Sequence, residues 1–188
     1  MISLLKASLL PKRLKMDNYL KKLEDINTFI FDVDGVLTDG SVLTLADGDQ
    51  IRKMNIKDGY ALQHAIKKGY HISIISGGTS ESVRKRLNGL GIEDVNLKCK
   101  NKVEVFEKLK SKFDLVDENI LYMGDDIPDY RVMQRVGFAS CPNDAAEEIK
   151  SICDYISPKN GGEGCVRDIM EKVMKLQNKW FDEDSHHW

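Results

Sequence analysis

Residues 30–40 read IFDVDGVLTDG, and this stretch decides the fold because it joins a buried strand to a group of carboxylates. The apolar run that ends in it, Asn27–Phe31, predicts a strand that is covered on both faces. Asp32 and Asp34 follow that strand directly. Clustered carboxylates at the end of a buried strand repel one another unless a partner of opposite charge is present. The stretch therefore predicts a polar, cation-binding site at the end of a core strand.

The composition of the chain is that of one globular domain with a small partner. Its 188 residues are 41% hydrophobic, which is enough to bury one core. The 28 basic and 30 acidic residues give a net charge of −2, so no basic surface for nucleic acid is indicated. No apolar run approaches the roughly 18 residues of a membrane span. The four cysteines lack zinc-site spacing and are typical of reduced thiols in a cytoplasmic protein.

We expect a simple domain organisation. Residues 1–24 are predicted to be an N-terminal extension, because the apolar start is interrupted by Lys6 and its positive charges follow it, unlike those of a secretory signal. Residues 25–178 are predicted to form a single domain. Residues 179–188 are polar enough to predict a disordered tail.

Short runs rich in Ile and Val alternate with stretches of helical period, which predicts an α/β fold with a Rossmann-like, mostly parallel sheet flanked by helices. The predicted strands are Asn27–Phe31, His71–Ile75, Asp94–Leu97, Ile120–Met123, Gly137–Ser140 and a short one near Tyr155. The predicted helices are Tyr60–Lys68, Ser80–Leu90, Lys102–Phe113, Asp129–Val136 and Cys165–Asn178. Residues 41–55 break the alternation, and Asp47-Gly48 between two β-prone pieces predicts a projecting β-hairpin.

Carboxylates are expected at the carboxyl edge of the sheet, where open parallel sheets bind their ligands. Asp32 and Asp34 follow the first strand, and Asp125 follows the fourth. Oxygen ligands suit a hard divalent ion, so we predict Mg²⁺ bound by these three aspartates. Asp126 and Asp129 are predicted to orient neighbouring groups or to hold metal-bound water.

An anion site is predicted beside these carboxylates. Ser76, Gly77 and Gly78 follow the second strand and precede a helix, so a hydroxyl and backbone N–H groups can point at an anion. Lys102 would add a positive charge, although Lys100 in the same lysine-rich stretch is an alternative. Such groups, together with a metal ion, neutralise a phosphoryl group during its transfer.

The nucleophile for such a transfer is predicted to be Asp32, because a carboxylate held near Mg²⁺ can become an aspartyl phosphate. Asp34 would protonate the leaving oxygen and later deprotonate the attacking water.

These residues resemble the motifs of the haloacid dehalogenase superfamily of phosphatases. The matching positions are the DxD pair Asp32 and Asp34, Ser76, Lys102 and the GDDxxD motif at 124–129. The resemblance extends over about residues 27–174 and implies a HAD-like fold and Mg²⁺-dependent phosphatase activity.

A narrower resemblance is to the group of 3-deoxy-D-manno-octulosonate 8-phosphate (KDO 8-phosphate) phosphatases. It is based on FDVDGVLTDG, the hairpin, NIKDG at 55–59, GDDIPDYRVM at 124–133 and GGEGCVRD at 161–168. It implies a homotetramer that makes KDO for lipopolysaccharide. It also implies that Arg86 binds the leaving group, whereas at Gly78 members commonly carry a larger side chain, often Arg.

Spacing leaves no room for a cap domain, because only the hairpin, helices and a strand fit between Asp32, Ser76 and Lys102. A phosphoryl site gains from the exclusion of water, so hairpins of neighbouring subunits are the expected cover. Residues 161–164 are either part of that cover or a flexible turn.

Three alternatives for the function stay open. One is a phosphatase of a nine-carbon sugar acid 9-phosphate, of the KDN or sialic acid type. A second is a phosphoryl-accepting signalling receiver, although there the acceptor aspartate follows a later strand. The third is a non-catalytic homologue that acts as an assembly module.

Overall fold

The computed structural model describes residues 19–48 and 50–186. Over these residues the chain forms a six-stranded sheet in the order β5-β4-β1-β6-β7-β8, with every neighbouring pair parallel, and a separate two-stranded hairpin. This confirms the predicted α/β fold. The strands are β1 (Thr28–Phe31), β2 (Leu43–Thr44), β3 (Gln50–Ile51), β4 (His71–Ile75), β5 (Asp94–Asn96), β6 (Ile120–Met123), β7 (Phe138–Cys141) and β8 (Tyr155–Ile156).

Helices cover both faces of the sheet. None in the described part of the chain combines the length and apolar character needed to cross a bilayer. The helices are α1 (19–24), α2 (Ile56–Lys67), α3 (Glu81–Asn88), α4 (Lys102–Phe113), α5 (Tyr130–Met133), α6 (Glu147–Lys150) and α7 (Cys165–Leu176). Short 3-10 turns occupy Asp117–Asn119, Ile127–Asp129 and Glu183–His186.

Strand β1 lies at the centre of the sheet and is buried on both faces. Phe29 and Phe31 pack into the core under α2 and α7, whereas Ile30 packs with Phe106 of α4 on the opposite face. Alternate side chains of a strand point to opposite faces, so this short apolar run contributes to both cores. Asp32 therefore directly follows a strand whose position is fixed by packing on both faces.

The helix boundaries agree with the sequence pattern where capping residues are clear. Helix α4 has the predicted bounds, and the Asn101 side chain caps it by accepting a hydrogen bond from Val103 N at 3.1 Å. Helix α2 begins at Ile56, one turn before the predicted start. Its cap is Asn55, which accepts from Lys57 N at 2.8 Å.

The hairpin projects from the domain just after β1. Leu43 of β2 pairs with Ile51 of β3, and both side chains are exposed, at 64% and 48%. A bridge between Thr38 and Met54 joins the base of the hairpin to the loop after β1. The segments on either side of β4 hold only the hairpin, helices and β5, so the described part of the chain has no cap domain.

The structure differs from the prediction of a disordered tail over the described part of residues 179–188. Trp180 is buried, and its ring meets that of Tyr60 edge to face at 6.0 Å. His64 Nε2 donates to the carbonyl of Trp180 at 3.1 Å, and Tyr60 OH donates to Ser185 O at 2.6 Å. One buried tryptophan thus holds a polar segment against α2.

The described end of the predicted N-terminal extension also packs against the domain, because Leu23 of α1 is buried in the core.

Candidate active site

A cavity of about 470 Å³ opens at the carboxyl edge of the sheet. All site residues predicted from the sequence line this cavity, with the exception of Arg86. They are Asp32, Asp34, Ser76, Gly77, Gly78, Lys102, Asp125, Asp126 and Asp129.

Asp32 lies at the base of the cavity and is only 7% exposed. Its Oδ2 is 2.9 Å from Lys102 Nζ, while its buried Oδ1 has no hydrogen-bond partner among the described residues. Burial and then the charge of Asp129 raise the pKa of Asp32 to about 6, against the opposing effect of Lys102. The second oxygen of this carboxylate is therefore available to a ligand.

Lys102, the first residue of α4, links two buried carboxylates. Its Nζ lies 2.7 Å from Asp129 Oδ1, in addition to the contact with Asp32. Burial acts to lower the pKa of Lys102, but the charges of Asp32 and then Asp129 outweigh it and raise that pKa. Tyr122 OH donates to the same Asp129 oxygen at 2.5 Å, and burial raises the pKa of this phenol so that it stays protonated. Lys102 is thus a fixed positive charge that Asp129 orients.

The acidic residues at this edge fit a divalent cation. Asp32, Asp125 and Asp129 each offer a carboxylate oxygen, and these oxygens lie within 4.8 Å of one another. Asp125 Oδ1 and Asp129 Oδ2, like Asp32 Oδ1, are buried without a hydrogen-bond partner in the described part of the chain. An unpartnered buried carboxylate oxygen is costly, and a hard cation would satisfy all three. The all-oxygen donor set fits Mg²⁺.

The carboxylate of Asp34 is not one of these three and pairs instead with Arg52. It accepts hydrogen bonds from Arg52 Nε at 2.5 Å and from Arg52 Nη2 at 3.2 Å. Asp34 as a metal ligand therefore stays a prediction. The group of carboxylates that could hold a metal ion contains Asp129 in addition to Asp32 and Asp125.

Two glycines allow the carboxylates to come close. Gly35 has a φ of +85°, and a Cβ there would lie 2.0 Å from Asp125 Oδ2. A Cβ at Gly124 would lie 2.4 Å from Asp129 Cγ. Any side chain at either position would displace an acidic group from the cavity.

The predicted anion-binding residues line the cavity beside Asp34. Ser76 is buried, and its Oγ accepts from Gly78 N at 3.0 Å. Helix α3 begins at Glu81, so Gly77 and Gly78 form a loop ahead of the helix rather than its first turn. Asp126 is exposed at the rim, where its side chain accepts from Ile127 N.

The structure does not bring Arg86 to this cavity. Its side chain runs along α3 toward α2, where a Cβ at Gly59 would lie 2.7 Å from Arg86 Nη2. Arg86 as a leaving-group ligand stays a prediction.

Residues 161–164 pack against the loop that follows β1. Gly162 N donates to Val36 O at 2.9 Å, and Asn55 Nδ2 donates to Gly162 O at 3.2 Å. A Cβ at Gly161 would lie 2.0 Å from Gly35 O. The two glycines therefore support the loop that carries the acidic residues.

Sequence reasoning missed two residues of the site. Tyr122 is in the middle of β6, where a tyrosine reads as ordinary core. Arg52 follows the second strand of the hairpin, and only the folding of the hairpin toward β1 brings it to Asp34. The sequence offers one weak signal for this contact. A basic residue follows a predicted hairpin, and the hairpin itself follows an acidic loop.

The metal-free protein is expected to lose stability as the pH rises from about 4 to about 7. Burial, followed by the charges of Asp32 and Asp129, raises the pKa of Asp125 to about 7, so the folded protein binds this proton more tightly than the unfolded chain does. Ionisation of the carboxyl therefore opposes folding until a cation is present. At about pH 8, Mg²⁺ at roughly 100 times its dissociation constant should raise Tm by about 5–10 °C, and by less near pH 6.

Asp125→Asn tests this account. The neutral amide should raise the Tm of the metal-free protein at the higher pH, flatten its pH dependence and abolish the Mg²⁺ response, as read by thermal melting. The exposed Asp114→Asn should behave as the wild-type protein does. A Mg²⁺ response that survives in Asp125→Asn would contradict the assignment of the cation site.

Known proteins match this chain over most of its length. A family model described as haloacid dehalogenase-like hydrolase matches residues 92–169. The 3-deoxy-D-manno-octulosonate 8-phosphate phosphatase of Escherichia coli strain K12 is 33% identical over 160 residues, 85% of this chain and 85% of that protein. The crystal structure of the Yersinia pestis phosphatase of the same name has a TM-score of 0.84, with 28% identity over 87% of this chain and 88% of that one.

A further solved structure is of the Moraxella catarrhalis 3-deoxy-D-manno-octulosonate 8-phosphate phosphatase in complex with magnesium, phosphate and KDO. Its TM-score is 0.83, with 31% identity over 87% of this chain and 94% of that one. Identity of this level over most of both chains makes this protein a phosphatase. The chain belongs to the haloacid dehalogenase-like hydrolases, in the family of the 3-deoxy-D-manno-octulosonate 8-phosphate phosphatases.

Proposed function

We propose that the protein is a Mg²⁺-dependent phosphomonoesterase that hydrolyses KDO 8-phosphate to KDO and phosphate, a step in the synthesis of lipopolysaccharide precursors. The observation that carries the proposal is the buried carboxylate of Asp32, which lies against Lys102 and beside the unpartnered oxygens of Asp125 and Asp129. The substrate is supported by the names of the relatives and by the ligands of the Moraxella catarrhalis enzyme. The free thiols of the cysteines are in keeping with a reducing compartment such as the cytoplasm.

Asp32 would begin the reaction. One of its carboxylate oxygens attacks phosphorus, the bond from phosphorus to the sugar oxygen breaks, and an aspartyl phosphate forms. Lys102 holds the carboxylate in place and offsets negative charge on the phosphoryl oxygens. The hydroxyl of Ser76 and the N–H groups of its loop, which line the cavity, would bind the same oxygens.

Asp34 would carry the proton in both halves of the reaction. It gives a proton to the departing sugar oxygen, and then takes one from the water that attacks the aspartyl phosphate. Phosphate leaves with the new oxygen, and Asp32 returns as a carboxylate. When bound by Asp32, Asp125 and Asp129, Mg²⁺ would supply positive charge that offsets the phosphoryl group and the carboxylates.

The hairpin is proposed to join subunits in a homo-oligomer, with a tetramer as the form that the family resemblance implies. Val42, Leu43 and Ile51 expose 46%, 64% and 48% of their surface on it. Clustered exposed apolar side chains of this kind mark a contact with another protein surface. In such an assembly the hairpin would help to cover a neighbouring cavity and keep water out.

Charges placed on the hairpin should therefore dissociate the assembly. Leu43→Lys combined with Ile51→Lys is expected to yield monomers in sedimentation analysis. It should lower kcat/KM for the sugar acid phosphate by about tenfold more than for p-nitrophenyl phosphate, which needs no covered sugar site. Val116→Lys is the matched control, since Val116 is 54% exposed but lies away from the hairpin. An unchanged assembly, or equal losses on both substrates, would contradict this role.

The proposed function is tested by phosphate release across a panel of sugar phosphates, with and without Mg²⁺. KDO 8-phosphate should give the highest kcat/KM, and chelation of Mg²⁺ should abolish it. A higher kcat/KM for a nine-carbon sugar acid 9-phosphate would instead identify the substrate as one of the KDN or sialic acid type. Failure to hydrolyse any phosphoester would overturn the function.

A further inference from the structure

We propose that Arg52 is a positioning residue for this reaction, whose guanidinium holds the Asp34 carboxylate where it exchanges protons with the leaving sugar oxygen. The inference rests on the proposed function, because it requires Asp34 to be the proton carrier. It gives a residue of the hairpin a role in positioning one of the reacting groups.

The contact between the two side chains fixes the direction of the carboxylate. Arg52 Nε and Nη2 donate to different oxygens of Asp34, at 2.5 and 3.2 Å. The planar guanidinium fork matches a carboxylate edge, so rotation of either group breaks at least one of the bonds. The side chain of Asp34 is 35% exposed, and without the fork it would be free to turn into solvent.

Arg52 is itself held in place. Its side chain is only 6% exposed, and its Nη1 donates to Gln50 O at 3.1 Å. The bridge between Thr38 and Met54 ties this end of the hairpin to the loop that carries Asp34. The guanidinium is therefore held against Asp34 rather than being a mobile surface charge.

The pair lies beside the loop that is proposed to bind the phosphoryl group. Asp32 and Lys102 define the phosphoryl position at the base. In the loop after β4, a Cβ at Gly78 would lie 3.1 Å from Asp34 Oδ2 and 3.6 Å from Arg52 Nη2. The absence of a side chain at Gly78 leaves this space to the pair, which sits between the phosphoryl-binding loop and the hairpin.

The neighbouring residue offers a matched control. Lys53 carries the same charge, but its side chain is 78% exposed and its Nζ pairs with Asp39 at 3.1 Å. A general effect of positive charge near the site would make Lys53→Ala resemble Arg52→Ala. An orienting effect on Asp34 would appear only at Arg52, and a lysine there would restore little of it, because an ammonium cannot form the fork.

The experiment compares two leaving groups in the first half-reaction, measured by rapid quench. The alkoxide of a sugar phosphate needs a proton to depart, whereas p-nitrophenolate departs without one. Arg52→Ala should slow the release of KDO by about 100-fold and that of p-nitrophenol by less than about threefold. Arg52→Lys should recover only a small part of the loss, and Lys53→Ala should stay within about twofold of the wild-type protein on both substrates.

A double variant tests whether Arg52 acts through Asp34. Adding Arg52→Ala to Asp34→Asn should slow the release of KDO by less than about twofold beyond Asp34→Asn alone, since the group being positioned is already gone. Thermal melting checks that the variants fold, and Arg52→Lys serves if Arg52→Ala does not.

Equal losses on both leaving groups, no loss at all, or additive losses in the double variant would each overturn the role of Arg52. These outcomes are distinct from failure of the proposed function, in which the wild-type protein itself releases no phosphate.

Discussion

Asp32→Asn is expected to abolish Mg²⁺-dependent phosphate release, lowering kcat by on the order of 10⁴-fold or more, because an amide cannot attack phosphorus. The protein should remain folded. Burial and the charge of Asp129 raise the pKa of Asp32 to about 6, so the ionised carboxylate opposes folding above that pH and a neutral amide of the same shape does not.

Steady-state phosphate release and thermal melting check this prediction together. Asp25→Asn, at an exposed position ahead of β1, is the control and should keep full activity. Turnover that persists in Asp32→Asn, in a sample free of wild-type protein, would remove Asp32 as the nucleophile.

Lys102→Met should reduce both activity and stability. Its ammonium lies 2.9 Å from Asp32 and 2.7 Å from Asp129, and both carboxylates are buried. Removing one partner of a buried ion pair leaves an uncompensated charge and costs about 3–5 kcal/mol of the free energy of unfolding. Loss of the positive charge at the phosphoryl group should lower kcat by about 10²–10³-fold.

The matched control is Lys100→Met, because Lys100 also lines the cavity but is exposed. It should keep its stability and stay within about threefold of the wild-type kcat. Denaturant unfolding and phosphate release measure the two effects. If Lys100→Met were the damaging change and Lys102→Met the mild one, the assignment of the lysine would be wrong.

The part of the site that could be predicted is the part that follows strands. Asp32, Ser76 and Asp125 come directly after β1, β4 and β6, and parallel strands bring their carboxyl ends to one edge. The order of strands and reactive residues along the chain was therefore sufficient to place these groups together. Lys102 was singled out only by its register with the family motifs, with Lys100 as an alternative.

Contacts between distant segments could not be predicted in the same way. The pairing of Arg52 with Asp34 depends on the angle at which the hairpin leaves β1, which no local pattern specifies. Tyr122 reads as core from its neighbours, although its hydroxyl reaches Asp129. The docking of Trp180 on α2 was hidden because the residues around it are polar.

Glycines made two segments hard to predict, because a glycine can mark a loop or can lie in a closely packed segment. Gly59 weakens the helical pattern, and the predicted helix begins only at Tyr60, although Asn55 caps the helix one turn earlier. Gly161 and Gly162 suggested either a cover or a flexible turn, whereas they permit close packing against the loop after β1.

The central claim is that Asp32 accepts the phosphoryl group from the substrate. Its most direct test is to mix the wild-type protein with KDO 8-phosphate and Mg²⁺, quench in acid within milliseconds and determine the mass of the peptide that contains Asp32. The account predicts one added phosphoryl group on that peptide, formed before phosphate is released and absent in Asp32→Asn. Phosphate release without any phosphorylated peptide, or with the phosphoryl group on another residue, would contradict it.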